Sequence, residues 1–261
     1  MNGPRLAWVH FKVGAMYELQ YRANLLVQLV HSGLALVTGL VAIGLVFAYT
    51  TDLDGWTKPE LLAVMGVHIL LSGVLRAWVQ PNMQRVMWQV EEGEFDFVLT
   101  KPVDAQLLVS FRHFQIWQLV DVVVGAVVII WSVTLIGGEV GWRQSIGFML
   151  LLLCGGVILY CLWLMITTSA FKWVRVEEIT QLMDGIYQTG RWPVAIYPPW
   201  LRFSLTFVVP LAFAITVPAG ALAGRLTAAT VALSVLVTGL LVIVTRSVWL
   251  YGLRYYTGAS A

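Results

Sequence analysis

The sequence predicts an all-α polytopic membrane protein with six transmembrane helices. Hydrophobic residues make up 59% of the chain and charged residues only 11%, whereas about a quarter of the residues in a soluble protein are charged. Several apolar runs reach the roughly 20 residues that a helix needs to cross the hydrocarbon core of a bilayer. One long charged segment, Gln80 to Arg112, interrupts these runs and is expected to lie in the cytosol.

The first segment, Gly3 to Arg22, precedes the apolar runs. It interleaves aromatic and charged residues, and its apolar residues recur at helical spacing. This pattern is typical of an amphipathic helix that lies in the membrane interface rather than crossing the bilayer.

Four apolar runs follow and are predicted to be the first four spans. The second of them is expected to stop at the polar sequence Gln80-Pro81-Asn82. Their approximate limits are Leu25–Tyr49, Leu61–Val79, Phe114–Ile136 and Ile146–Phe171.

The last ninety residues allow two arrangements, both ending in a span at about Ala228–Leu250. Hydropathy alone favours Phe203–Leu222 as the fifth span, although Pro210 and Pro218 would each interrupt its backbone hydrogen bonds. The alternative is a more polar fifth span at about Glu178–Ile196, followed by a helical hairpin that enters the outer leaflet and returns. The residue pattern does not choose between them.

The basic residues predict the orientation. Under the hydropathy arrangement thirteen of the sixteen lie on one side, and only Lys58, Arg143 and Arg225 lie on the other. In the alternative, Arg191 and Arg202 move outside and the balance becomes eleven against five. Either balance places both termini and the Gln80–Arg112 loop in the cytosol.

Several function classes lack their sequence signals. The net charge of +2 is small and dispersed, so no nucleic-acid partner is expected. The chain has no phosphate-binding loop and no zinc-protease, C-x-x-C or nucleophile-elbow motif. Its four histidines are scattered, so neither a metal nor another cofactor is expected. We therefore expect a protein that is not itself an enzyme.

The charged loop and the chain that follows carry a family resemblance. Between helical flanks, the loop has a glycine, an acidic residue, apolar positions and a Pro-Val pair. In this respect it resembles the cytosolic loop of the permease subunits of type-2 ABC exporters, although Phe95 stands where a leucine is commoner. The matching loop residues are Gly93, Asp96, Leu99, Pro102 and Val103, and the proline-rich tail is similar at Trp192-Pro193, Tyr197 to Leu201 and Val209 to Leu211.

The resemblance covers nearly the whole chain and implies a function. Such permeases are multi-pass proteins of the cell (inner or plasma) membrane, and residues 1–261 would form a single transmembrane domain. Two permease subunits, identical or sister chains, would pair and dock two separate cytosolic ATP-binding subunits. The resemblance also favours the arrangement with a re-entrant outer segment at residues 197–222.

Six loop residues are the candidate site for coupling to the ATP-binding subunit. Aromatic residues flanked by charge are the usual anatomy of a docking surface, so Phe95 or Phe97 would be the apolar anchor. The competing interpretation is that the acidic residues form a solvated face. The six are Glu94, Phe95, Asp96, Phe97, Leu99 and Pro102.

Four ionisable residues within predicted spans are candidates for the transport pathway or for contacts between helices. Asp121 lies about two turns inside the third span, where a neighbour such as Arg76 could satisfy its carboxylate. Asp184 is a comparable case in the polar fifth span, and His31 and His68 are expected to form hydrogen bonds between helices. The small residues from Gly66 to Gly73 could allow two helices to approach closely.

Two other functions stay open. A transporter or channel that works alone would show repeated halves or a row of polar groups through the spans, and a membrane scaffold or assembly factor would need neither. Apolar spans with few internal charges suit an amphipathic or lipid-like cargo better than a small ion.

Overall fold

The described chain is helical, and the all-α prediction is confirmed. The structure is a computed structural model that describes residues 22–137, 141–172 and 177–256, and no strand occurs in those ranges. Apart from Arg22, the predicted interface helix lies outside the described residues. In chain order the helices are α1 (Arg22–Tyr49), α2 (Lys58–Val74), α3 (Gln80–Glu91), α4 (Asp96–Leu99), α5 (Ala105–Ser110), α6 (Leu119–Ile136), α7 (Trp142–Ser169), α8 (Glu177–Thr189), α9 (Pro199–Phe203), α10 (Val217–Leu222) and α11 (Ala228–Gly252).

Short π-helical and 3₁₀ turns extend these helices. π-helical turns form Leu75–Val79, Ser204–Val208 and Ala212–Thr216, and 3₁₀ turns form Ile116–Gln118 and Val194–Ile196. Within the described ranges, five helical segments are long and apolar enough to cross a membrane, or six if a bent pair near the C-terminus counts as one span. The protein is therefore a polytopic membrane protein. The five are Ala23–Tyr49, Lys58–Glu91, Ile116–Ile136, Trp142–Ser169 and Ala228–Gly252.

The predicted end of the second span at Pro81 is wrong, because the helix continues through a π-helical turn to Glu91. Proline has no N–H to donate to the carbonyl four residues earlier. That carbonyl, on Ala77, instead accepts a hydrogen bond of 2.8 Å from the backbone N–H of Gln115. A distant segment thus satisfies the group that Pro81 leaves free, and the helix passes the proline without breaking.

The second and third spans approach closely, as the small residues predicted. A Cβ atom added to Gly125 of α6 would lie 2.4 Å from the backbone nitrogen of Leu70 in α2. One added to Gly73 of α2 would lie 2.6 Å from the backbone nitrogen of Val122. Both positions therefore require glycine, and α2 and α6 form one tightly packed pair.

The polar fifth span is not the continuous helix expected over residues 178–196. Helix α8 ends at Thr189 after 13 residues, about 20 Å at the α-helical rise. Gly190 and Pro193 follow, and the chain continues through the 3₁₀ turn Val194–Ile196. A residue without a side chain and a residue without an N–H end the helix here.

A straight crossing over Phe203–Leu222 is also wrong. Two helical limbs, Pro199–Val208 and Ala212–Leu222, meet at an angle of 78°. Pro210 lies in the break between them, where its missing N–H interrupts the helical hydrogen bonds.

Both ends of this broken element lie beside the turn between α1 and α2. At its start, the guanidinium of Arg202 is 3.6 Å from the carboxylate of Asp54. Just after its end, the guanidinium of Arg225 is 2.9 Å from the carboxylate of Glu60 and stacks 4.2 Å from the ring centroid of Trp56. The element therefore begins and ends at the same end of the helical bundle.

Candidate functional site

The charged loop is fastened to the helices at its base by the amide of Asn82, which is 1% exposed. Its Nδ2 donates to the carbonyl oxygens of Trp78 at 2.6 Å and His113 at 2.8 Å. Its Oδ1 accepts from the backbone N–H groups of Arg112 at 3.0 Å and His113 at 2.9 Å. One side chain thus holds the two ends of the loop together.

The prediction that Phe95 could anchor a partner is wrong, since its side chain is 0% exposed. Gly93 turns the chain with a φ of 72°, which favours glycine, and Phe95 follows two residues later. Its ring centroid lies 5.1 Å from that of Phe171, 6.4 Å from Trp249 and 5.4 Å from Tyr256. Phe95 is therefore part of an aromatic core that joins the loop to the last span.

The neighbouring residues face outward instead. Phe97 is 73% exposed and Leu99 is 42% exposed, Pro102 is exposed, and Glu94 and Asp96 are half-buried. Asp96 opens α4 without a side-chain cap. Apolar side chains rimmed by charge are characteristic of an interaction site. We call these five residues, Glu94, Asp96, Phe97, Leu99 and Pro102, the loop surface.

A salt bridge joins the loop to the last span. Arg246 of α11 donates to the carboxylate of Asp104 at 2.5 Å and to Oε1 of Gln106 at 2.7 Å. The hydrogen bond from Arg246 lowers the pKa of Asp104 below its ordinary value. The carboxylate also caps α5 by accepting from the backbone N–H of Leu107 at 3.2 Å. This pair was not predicted from the sequence, although an arginine near the end of an apolar helix is itself a signal that a partner exists.

Asp121 is 4% exposed and is satisfied by neighbours on two other helices. Arg76 lies 3.5 Å from its Oδ2, as the sequence analysis suggested. The same oxygen accepts from Nε2 of Gln28 at 3.1 Å, and the hydroxyl of Ser32 donates to Oδ1. These contacts make Asp121 a structural link between α1, α6 and the π-helical turn that follows α2.

His68 lies at the centre of a second polar cluster. Its ring stacks on Tyr187 of α8 with centroids 4.7 Å apart. The Tyr187 hydroxyl donates to the carbonyl of His68 at 2.9 Å, and the Ser72 hydroxyl donates to the same carbonyl at 2.8 Å. These contacts tie α8 to the middle of α2.

The two clusters border one cavity of about 300 Å³. Three of the four predicted polar residues therefore come together there. Asp184 does not line the cavity but accepts a hydrogen bond of 2.9 Å from Nε2 of Gln80. The polar lining consists of His31, Ser32, His68, Ser72, Arg76, Asp121, Gln188 and Arg191.

Gln188 and Arg191 are the lining residues that the sequence analysis missed as site residues. Arg191 was considered only as a charge that sets orientation. The available signal was that both residues lie at or just after the C-terminal end of an amphipathic helix. Within the ranges described, no group of three or more histidine, cysteine or acidic residues could hold a metal ion.

Comparison with known proteins identifies a family. The family described as ABC-2 family transporter protein matches residues 34–260, a range that includes the loop surface, the cavity, the broken element and the last span. No curated protein and no solved structure matches the chain.

Proposed function

The chain belongs to the ABC-2 family of transporter proteins, and from this premise we propose that it is the permease half of an ATP-driven exporter. As a member, it is a membrane permease component of an ABC transporter. In the proposal, two such permeases, identical or sister chains, form the substrate pathway. Separate cytosolic ATP-binding subunits dock on the loop surface.

The observation that carries the coupling proposal is the division of the loop between a buried face and an exposed one. Phe97 and Leu99 place apolar area outside the fold, while Phe95, two residues before Phe97, lies in the core. A solvated face would gain nothing from an aromatic side chain that is 73% exposed. A docking surface would bury it.

Three attachments support a loop that moves with the spans. Asn82 holds its base, Phe95 packs on the aromatic core and Asp104 pairs with Arg246. A displacement of the loop surface would therefore reach α3, α6 and α11 together. This is the mechanical property that coupling to ATP binding requires, because interfaces between packed elements transmit rigid-body shifts.

The proposed topology places both termini and the loop in the cytosol and residues 197–222 in the outer leaflet as a re-entrant segment. The excess of basic residues supports this orientation. The contacts of Arg202 with Asp54 and of Arg225 with Glu60 support the re-entrant path, because a crossing segment would have its ends at opposite ends of the bundle.

Cysteine labelling tests the orientation. Single cysteines at Thr51 and Glu92, both exposed positions, are introduced into a chain in which Cys154 and Cys161 are replaced by alanine. An impermeant thiol reagent applied to intact cells should label position 51 and spare position 92. The reverse pattern would overturn the topology.

Charge reversal tests the coupling. The change Asp96→Lys should sharply reduce co-purification of a co-expressed ATP-binding subunit, because reversing a charge in a buried interface costs on the order of 2–5 kcal/mol. Thr51→Lys is the control, since it introduces a lysine at an exposed position of the α1–α2 turn. If both variants retain the subunit as the parent chain does, the loop is a solvated face and the proposal fails.

A further inference from the structure

The cavity has an uncompensated positive charge. Its lining includes two arginines, Arg76 and Arg191, and one carboxylate, Asp121. Asp121 pairs with Arg76 at 3.5 Å, whereas in the described part of the chain no carboxylate lies within salt-bridge distance of Arg191. Its arginines and its carboxylate together therefore give the lining one net positive charge, which matches a monoanion.

The cavity also has buried polar atoms without hydrogen-bond partners. His68 is 4% exposed, and its buried Nε2 has no partner among the described residues. The buried Oε1 of Gln188 also has no hydrogen-bond partner among the described residues. A buried polar atom without a hydrogen bond costs free energy comparable to the loss of one. Two such atoms in one lining indicate a polar ligand, and Oε1 of Gln188 requires one that donates a hydrogen bond.

The depth of the cavity restricts the ligand further. His68 lies within the second span, ten residues or about 15 Å after its start at Lys58 at the α-helical rise. A charged cavity at this depth is costly in an apolar membrane and is therefore a functional-site hypothesis by default. Its volume of about 300 Å³ holds a polar headgroup but not a whole lipid.

From these three features we propose that the cavity binds a monoanionic phosphodiester whose substituent carries hydroxyl groups, as in a glycerophosphate headgroup. Arg191 and the free nitrogens of Arg76 bind the phosphate oxygens, since arginine is suited to bidentate phosphate contacts. The hydroxyls of the headgroup donate to Oε1 of Gln188 and share a hydrogen bond with Nε2 of His68. That this group is cargo rests on the transport function proposed above. The binding itself does not.

Direct binding to the purified chain, without any ATP-binding subunit, tests the proposal. Detergent-solubilised protein is titrated with phosphatidylglycerol, with phosphatidylethanol and with phosphatidylcholine, and bound lipid is counted by native mass spectrometry. Phosphatidylethanol has the same charge as phosphatidylglycerol but no headgroup hydroxyl. We expect phosphatidylglycerol to bind several-fold more tightly than phosphatidylethanol and phosphatidylcholine to bind most weakly. Equal binding of all three lipids would overturn the proposal.

Two variants separate the two kinds of contact. Arg191 is exposed, so the Arg191→Gln variant should fold normally. It should weaken the binding of both anionic lipids by roughly tenfold or more. Gln188→Leu should remove most of the difference between phosphatidylglycerol and phosphatidylethanol. Arg143→Gln, at an exposed arginine away from the cavity, is the control. It should change neither the affinity for the anionic lipids nor the difference between them. If Arg191→Gln binds as the parent chain does, the site does not hold the anion.

Soluble glycerophosphoglycerol, the deacylated form of phosphatidylglycerol, distinguishes the possible sources of the group because it is the same monoanionic phosphodiester without acyl chains. If the ligand is a lipid headgroup, glycerophosphoglycerol should fail to displace phosphatidylglycerol at comparable concentrations. Displacement that depends on Arg191 would support the same site with a free small anion as its ligand. Displacement that is unchanged in Arg191→Gln would contradict it. Failure of the coupling experiments would leave these binding results unaffected.

Discussion

Phe95 and Phe97 are two residues apart and should respond to truncation in opposite ways. Phe95→Ala removes a ring that is 0% exposed and packed on three others, and such a change costs about 3–5 kcal/mol. At roughly 2–4 °C per kcal/mol for a chain of this size, the melting temperature should fall by about 6–20 °C. Phe97→Ala removes a side chain that is 73% exposed, so its effect should stay within about 0.5 kcal/mol.

Thermal unfolding in detergent, followed by tryptophan fluorescence, measures the stability of both variants. Co-purification of the ATP-binding subunit measures docking, and here Phe97→Ala should lose the subunit although its melting temperature is unchanged. Phe95→Leu is the matched control, because it keeps most of the buried volume and should behave much as the parent chain does. If Phe95→Ala melts as the parent chain does yet loses the subunit, Phe95 faces the partner and the division of the loop is wrong.

Three further outcomes are expected. Gly125→Leu should destabilise the protein by about 1–3 kcal/mol or more, since a side chain there meets the backbone of Leu70; Gly239→Leu, where nothing lies within 4 Å of an added Cβ, is the control, and equal melting temperatures would contradict the close packing. Asp104→Asn should lower the free energy of unfolding at pH 7 by about 0–1 kcal/mol, the contribution of an exposed ion pair, and so lower the melting temperature slightly. Because Arg246 lowers the pKa of Asp104, the contribution of the pair is present above the ordinary value of 3.8 and is lost as the pH falls through the lowered value; the two melting temperatures should converge there, and a gap that persists in acid would exclude this cause. The purified chain alone should release no phosphate from ATP, because it has no phosphate-binding loop, and turnover that survives removal of contaminating ATPases would refute the permease assignment.

The long spans could be predicted from the sequence because their signal is local. An apolar run of about 20 residues identifies a crossing without knowledge of its neighbours, and four of the predicted spans agree with the helices to within a few residues at most ends. The prediction that the second span ends at Pro81 was wrong because the deciding contact is distant in the sequence. The helix continues because Gln115, more than thirty residues away, satisfies the carbonyl of Ala77, and no local rule contains that contact.

The candidate site shows the same division. A charge within a membrane span is costly, which predicted that Asp121 has a partner such as Arg76. The two side chains lie 3.5 Å apart. Which face Phe95 takes depends instead on rings supplied by α11, by the chain after it and by the segment after α7. Arg191 was missed as a lining residue for a related reason. Its place in the cavity depends on where the short helix α8 ends and how it packs on α2.

Site-specific photo-crosslinking shows whether an ATP-binding subunit docks on the loop surface. A benzophenone amino acid replaces Phe97 in one chain and Trp142 in another, since both side chains are more than 70% exposed and Trp142 begins α7 at the opposite end of the proposed topology. Irradiation of cells that co-express the ATP-binding subunit should give an adduct from position 97 whose mass identifies that subunit, and none from position 142. An equal yield of that adduct from both positions, or from neither, would contradict the account.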